Sequence, residues 1–194
     1  LEETVADAEG LIATFNALLS IARAESGEHR ASWEQVDLGE LANDVQELYE
    51  PLAEEREISL EATTARNVTV MGNRQILAQA LANLTDNAIK YTPLGGKVVL
   101  TAGHTEPGGR GAPLLTVADS GPGIPTHLRK KALERFSRLE AARSTPGNGL
   151  GLSLVNAVAQ LHEATLELSD NAPGLKVQLI FAAPRATSAT AAAP

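Results

Sequence analysis

The sequence predicts an α+β fold, a two-layer sandwich of helices on a mixed sheet, preceded by a helical appendage. Helical and strand-like periodicities are interleaved along the chain, which rules out an all-helical or all-strand domain. Several strand-like runs are paired across short turns rich in Pro and Gly, as hairpins require. The length of 194 residues suits one domain plus an appendage, and is enough to bury about two thirds of the unfolded surface.

Composition narrows the chemistry. With no cysteine, disulfides, thiolate metal sites and cysteine nucleophiles are excluded, so any metal must be held by oxygen or imidazole. A net charge of −8 argues against general affinity for nucleic acid or an anionic membrane. No apolar run approaches the roughly 18 residues of a membrane span, and no leader-like pattern opens the chain. The start LEETVADAEG, without methionine, is that expected of a piece of something longer.

The first element is a helix over residues 1–26, with Val5, Ala8, Ile12, Phe15, Leu19 and Ala22 at three- and four-residue spacing. A polar connector, SGEHRASWE, follows. Asp37 and Glu40 make a capping-box-like start to a second helix running to about Arg56, which Pro51 should bend or interrupt. ISLEAT and NVTVMG read as short strands, and Asn73 as the N-cap of a helix extending through Lys90. KVVLTAG and PLLTVAD read as antiparallel neighbours joined by the loop HTEPGGRGA. A short helix over Thr126–Arg135, the flexible-looking SRLEAARSTPGNG, and a helix from about Gly149 to Leu161 come next. Two closing strands, ATLELSD and LKVQLIFA, share the turn NAPG, and residues 184–194 form a low-complexity tail expected to be disordered.

Three stretches carry candidate chemistry. In NLTDNAIKYTP, Asn83, Asn87 and Lys90 or Tyr91 fall on one helical face, so two amides and one further group can converge on a ligand. The same spacing also describes an ordinary polar helix face. In DSGPGIP, directly after a strand, Asp119 can accept a hydrogen bond from an exocyclic amine while Gly121 and Gly123 allow close backbone approach. A plain tight turn would read alike. In GNGLGLSLV, glycines open a helix whose first amides can hold phosphate, or simply end a flexible loop. It is not a dinucleotide fingerprint, because no βαβ unit with a downstream acidic residue surrounds it.

Their order, with ERFSR between the second and third stretches, resembles the N, G1, F and G2 boxes of bacterial sensor histidine kinases. These belong to the gyrase–chaperone–kinase–mismatch-repair ATPase superfamily. The resemblance implies a Bergerat-type ATP-binding catalytic domain over residues 37–183. Residues 1–30, whose helix closes with LLSIARAESG, resemble the C-terminal helix of the dimerisation and phosphoacceptor domain. It implies ATP and Mg²⁺ as ligands, with Asn87, assisted by Asn83, on the metal; a neutral oxygen ligand adds no repulsion to the phosphate charge. By the same resemblance Lys90 meets phosphate, Tyr91 lines the pocket, and Asp119 bonds the adenine amine in a pocket shaped by Gly121 and Gly123. Phe136 belongs to the F box, and Arg138 is a candidate for the γ-phosphate. Gly147, Gly149, Leu150 and Gly151 form the lid and the helix start. Implied partners are a response-regulator receiver domain, an acceptor-histidine helix and, in the parent, a second copy. The implied location is cytoplasmic, with the parent anchored in the inner membrane.

The chain departs from the family pattern in one respect. None of His29, His104, His127 or His162 stands in an acceptor motif resembling H-E-[L/I/M]-R-T-P, so the acceptor helix is expected upstream of Leu1 and this chain should not autophosphorylate alone. His162 closes the G2 helix where relatives carry His-Gly-Gly, and reads as a packing or capping residue. Competing readings are a gyrase-like ATPase, a nucleotide-responsive interaction module, a phosphatase-biased relative and a helical dimer scaffold. The gyrase-like reading lacks its glutamate, because none lies between Asn73 and Lys90.

Overall fold

In the computed structural model, which describes residues 33–134 and 150–183, side-chain caps start the two long helices. Asp37 Oδ1 accepts from the Gly39 and Glu40 N–H groups at 2.7 and 3.1 Å. Asn73 Oδ1 accepts from Ile76 N–H at 3.0 Å. Each cap satisfies amides that the first helical turn leaves without partners. In chain order the elements are β1 (Glu34–Asp37), α1 (Leu38–Glu55), β2 (Ser59–Thr64), β3 (Thr69–Gly72), α2 (Arg74–Tyr91), β4 (Lys97–Glu106) and β5 (Arg110–Asp119). A 3₁₀ turn, Thr126–Leu128, leads into α3 (Arg129–Ala132), and α4 (Gly151–Leu161), β6 (Thr165–Asp170) and β7 (Leu175–Ile180) follow.

Among the described residues these form a five-stranded sheet, ordered β2-β4-β5-β7-β6, and a separate antiparallel pair of β1 with β3. Only the β2–β4 pairing is parallel within the larger sheet, and α2 lies in the crossover that a parallel pair needs. Val98, Leu100 and Ala102 of β4, Leu115 and Val117 of β5, and Val177 and Leu179 of β7 share one buried row set. Their period of two gives the sheet a single covered face, against which α1, α2 and α4 pack. The two-layer α+β expectation therefore holds.

Several details differ from expectation. Glu34–Asp37 is a strand, not the end of a connector, because its backbone pairs with Thr69–Gly72 from far along the chain. Pro51 does not interrupt α1; it removes one donor, while Leu41, Ala42, Val45 and Ala53 on either side of it are buried and hold the helix to the sheet. The β4–β5 hairpin is longer than its apolar runs suggest, so His104 lies within β4 rather than in a loop. An irregularity between His104 and Glu106 is bridged by Ala112 N–H donating to Thr105 Oγ1 at 3.0 Å. The helix expected over 126–135 is short, because Leu133 and Glu134 make i→i+3 bonds that tighten it. Helix α4 ends in a Schellman motif: Glu163 N–H reaches Gln160 O at 3.2 Å and Ala164 N–H reaches Ala159 O at 2.8 Å. Glu163 takes the left-handed conformation there, φ 54°, so the turn forms without the glycines of relatives. The expected helix at 1–26 and the tail at 184–194 lie outside the described residues.

Candidate functional site

The candidate residues gather around the C-terminal half of α2. Asn83 and Asn87 are half-buried on its face, one turn apart. Asn83 Nδ2 donates to Gln79 O at 2.8 Å, which turns its carbonyl oxygen away from its own helix backbone. At the head of α4, Gly151 sits so close that a Cβ there would lie 2.9 Å from Asn87 Nδ2 and 3.5 Å from Asn83 Oδ1. The first turn of α4 is thus seated on the two amides, and glycine is what lets it come that near. Leu150 is buried at the same junction, its carbonyl accepting from Leu154 N–H and Ser153 Oγ, both at 2.9 Å.

At the end of α2, Lys90 lies in the last turn with its Nζ 5.4 Å from the centre of the Tyr91 ring. A cation is favoured there by the helix dipole as well as by the ring face. Arg56 NH1 donates to Ile89 O at 3.0 Å, covering one of the late carbonyls of the helix. Tyr91 is at the surface, and its carbonyl meets the next part of the site: a Cβ on Gly121 would lie 2.8 Å from it and 3.0 Å from Asp119 Oδ1.

Asp119 closes β5 on the same row as Leu115 and Val117, so the strand's alternation delivers its carboxylate to the interface between sheet and helices. It is buried, and Oδ1 accepts from Gly121 N–H at 2.8 Å and Leu175 N–H at 3.1 Å. Burial pushes the carboxyl above the usual aspartate value, and the two amide bonds hold part of that rise back. Gly123, at φ 71°, packs against the β6–β7 turn, where a Cβ would lie 2.8 Å from Gly174 O. Arg129 ties the following loop to β6, donating to Ile124 O at 3.0 Å and Leu168 O at 3.3 Å and pairing with Asp170.

Asn83, Asn87 and Gly151 are therefore brought together, as are Tyr91, Gly121 and Asp119. Phe136, Arg138, Gly147 and Gly149 lie outside the described residues. Asn171, Gly174 and Arg129 were not among the residues singled out from the sequence; the signal for the first two was their placement in the turn that register sets beside Asp119. His162 is a packing residue, as expected. Its Nε2 accepts from Asn73 N–H at 3.1 Å, so the ring is neutral with its proton on Nδ1, which donates to Val158 O at 2.9 Å. The Trp33 ring stacks on it at 5.2 Å.

What this arrangement offers is a buried carboxylate acceptor at the end of β5 and, along α2, a pair of neutral amides beside a cation and a glycine-started helix. The amide oxygens are hard, uncharged ligands, a donor set that suits Mg²⁺ already bound to phosphate.

Residues 72–185 match the family described as histidine kinase-, DNA gyrase B-, and HSP90-like ATPase. Over 166 residues the chain is 34% identical to the sensor histidine kinase TmoS of Ectopseudomonas mendocina, covering 84% of this chain and 17% of that protein. Over 172 residues it is 34% identical to the signal transduction histidine-protein kinase/phosphatase MprB of Mycobacterium sp. (strain KMS), covering 89% of this chain and 32% of that protein. The crystal structure of full-length ShkA in complex with AMPPNP superposes with a TM-score of 0.74 at 27% identity, over 89% of this chain and 36% of that one. The chain thus spans between 17% and 36% of the length of these proteins. No helix among the described residues is long and apolar enough to cross a membrane.

Proposed function

The chain belongs to the histidine kinase-, DNA gyrase B- and HSP90-like ATPase family, and from that premise we propose that it presents Mg·ATP to a phosphoacceptor histidine on a separate helix. It is the ATPase catalytic domain of a histidine kinase. The observation that carries the proposal is the seating of Gly151 on the Asn83 and Asn87 amides, which joins the helix start suited to phosphate with the ligands suited to its counter-ion.

In this reading Asp119 accepts from the adenine amine, and Gly121 and Gly123 give the base room to approach. Asn87, with Asn83 beside it, would hold Mg²⁺; the bound ion supplies neutralisation of the phosphate charge. Lys90 takes a phosphate oxygen, Tyr91 lines the pocket, and the amide hydrogens at the head of α4 receive the anion. The lid is formed by Gly147 and Gly149 with Leu150 and Gly151, and Phe136 and Arg138 contribute from the F-box segment. The chain's part in transfer is orientation and electrostatic complementarity, which is most of what phosphoryl transfer asks of a protein. The nucleophilic imidazole and its base belong to the acceptor helix, and an aspartate of a response-regulator receiver domain takes the phosphoryl group afterwards. Residues 37–183 are proposed as the catalytic domain and 1–30 as the second helix of a dimerisation domain in a homodimeric, membrane-anchored parent.

The test is calorimetric titration of ATP with and without Mg²⁺, on the wild-type chain and on Asn87→Ala. Metal-enhanced binding that the variant loses is the expected result; an isolated acceptor-helix domain is then added and phosphohistidine measured. Absence of ATP binding by the wild-type chain would overturn the proposal. A phosphatase-biased role is the second reading, favoured by the kinase/phosphatase designation of the MprB relative. It predicts loss of phosphoryl groups from a phosphorylated receiver domain in place of phosphohistidine.

A further inference from the structure

The β6–β7 turn stands out because its side-chain amide and the first strand amide after it are both spent on one residue of the site. Strands β5 and β7 pair from Leu114↔Ile180 to Ala118↔Lys176. The next rung would set Asp119 opposite Leu175, and there side chains replace the ladder. Leu175 N–H donates to Asp119 Oδ1 at 3.1 Å instead of to a carbonyl. The Asp119 carbonyl is taken by Asn171 Nδ2 at 2.8 Å. Asn171 N–H closes the turn on Gly174 O at 3.0 Å. Gly174, at φ 116°, lies so close that a Cβ on it would stand 1.7 Å from the Asp119 carbonyl oxygen. The same turn touches Gly123, whose Cβ would meet Gly174 O at 2.8 Å.

This has a directional consequence. Two amide hydrogens, from Gly121 and Leu175, converge on Oδ1, while Oδ2 has no hydrogen bond among the described residues. A carboxylate held by one oxygen and by its own backbone carbonyl cannot swing, so its other oxygen is offered in one direction at little entropic cost.

We propose that the Asn171–Gly174 turn is the positioning element for base recognition: by bonding the Asp119 carbonyl through Asn171, and by setting the Leu175 N–H that follows it on the carboxylate, it aims Oδ2 at the 6-amino group of a purine. Asn171 is then a specificity-determining positioning residue that acts through Asp119. The proposal rests on the ATP-site reading above and adds the device that sets its selectivity.

The experiment compares the affinities of ATP and of purine riboside triphosphate, which lacks the 6-amino group, in the presence of Mg²⁺. It uses the 194-residue chain as wild type, Asn171→Ala and Asn171→Asp, the last keeping the side-chain size without the donor. The wild-type chain is expected to prefer ATP by about tenfold or more, as for a hydrogen bond to a charged group. Both variants are expected to narrow that preference to about threefold or less, with affinity for the analogue held within about twofold. Asn171 is exposed, so neither variant disturbs the core. Equal loss for both nucleotides would show a merely structural turn and overturn the proposal, as would an unchanged preference. A wild-type chain that binds neither nucleotide, or both alike, would instead defeat the base-site reading itself, before any variant is considered.

Discussion

At Gly151 the first turn of α4 comes down on side chains rather than on backbone. The nearest atom to an added Cβ is the terminal Nδ2 of Asn87, 2.9 Å away, and a side-chain amide can rotate where a backbone cannot. Gly151→Ala is therefore predicted to fold normally, with stability changed by no more than about 1 kcal/mol, since alanine favours the helix by about that amount. The displaced amide should weaken Mg²⁺-dependent ATP binding by about tenfold, the equivalent of one hydrogen bond or ligand contact. Calorimetry with and without Mg²⁺, beside a thermal melt, separates the two effects; unchanged affinity would mean that the amide orientation is not used. At this scale the sequence was informative about which residues stand out, because paired asparagines and helix-opening glycines are poor helix formers kept in a helix. It was silent on Asn83 and Asn87 touching Gly151, since a spacing of more than sixty residues leaves no periodic trace.

Helix α2 is the element on which the site is mounted, and its start is independent of the chemistry it carries. Asn73 Oδ1 satisfies Ile76 N–H, while the Asn73 backbone N–H is used by His162. Replacing Asn73 with alanine removes the first bond and keeps the second. The predicted cost is about 1 kcal/mol, seen as a lower urea midpoint with an unchanged slope, with ATP affinity within about twofold of wild type because Asn83 lies beyond the turn that frays. A larger loss of affinity would show that the cap sets the helix position. Caps, helical periods and the alternation in β4, β5 and β7 were all legible, because each is written in neighbouring residues. Strand β1 was not: EQVD has too few residues for a period, and its partner is β3. Pro51 misled in the other direction, since tertiary burial of α1 outweighs the loss of a single donor.

Across the whole molecule, His162 is where separate parts meet. It ends α4, accepts from the N-cap residue of α2 and stacks on Trp33 just before β1. Burial holds its protonation below the ordinary value of 6.5, and the bond to Val158 O offsets part of that shift. A proton on Nε2 would set two donors against each other at Asn73. The sign follows: below pH 6.5 the unfolded chain takes up a proton that the folded chain refuses, so stability falls as pH drops towards the lowered folded value. That contribution is fully present above the unfolded value. Unfolding free energies measured between about pH 7.5 and about pH 5.5 should show this slope in the wild-type chain and a shallower one in His162→Gln. Equal slopes would mean that some other group is responsible.

By itself the sequence determined the fold class, the order of nearly all elements among the described residues and the residue types of the candidate site, because periodicity, caps and glycine-bearing turns are local and chemically specific. Only the tertiary structure decided how those residues are held. The contact of α4 with the asparagines, the neutral tautomer of His162 and the bracing of Asp119 by a distant turn all depend on strand register and helix packing. Those are settled by burying the shared apolar face of helices and sheet, a property of the assembled core that no short stretch of residues contains.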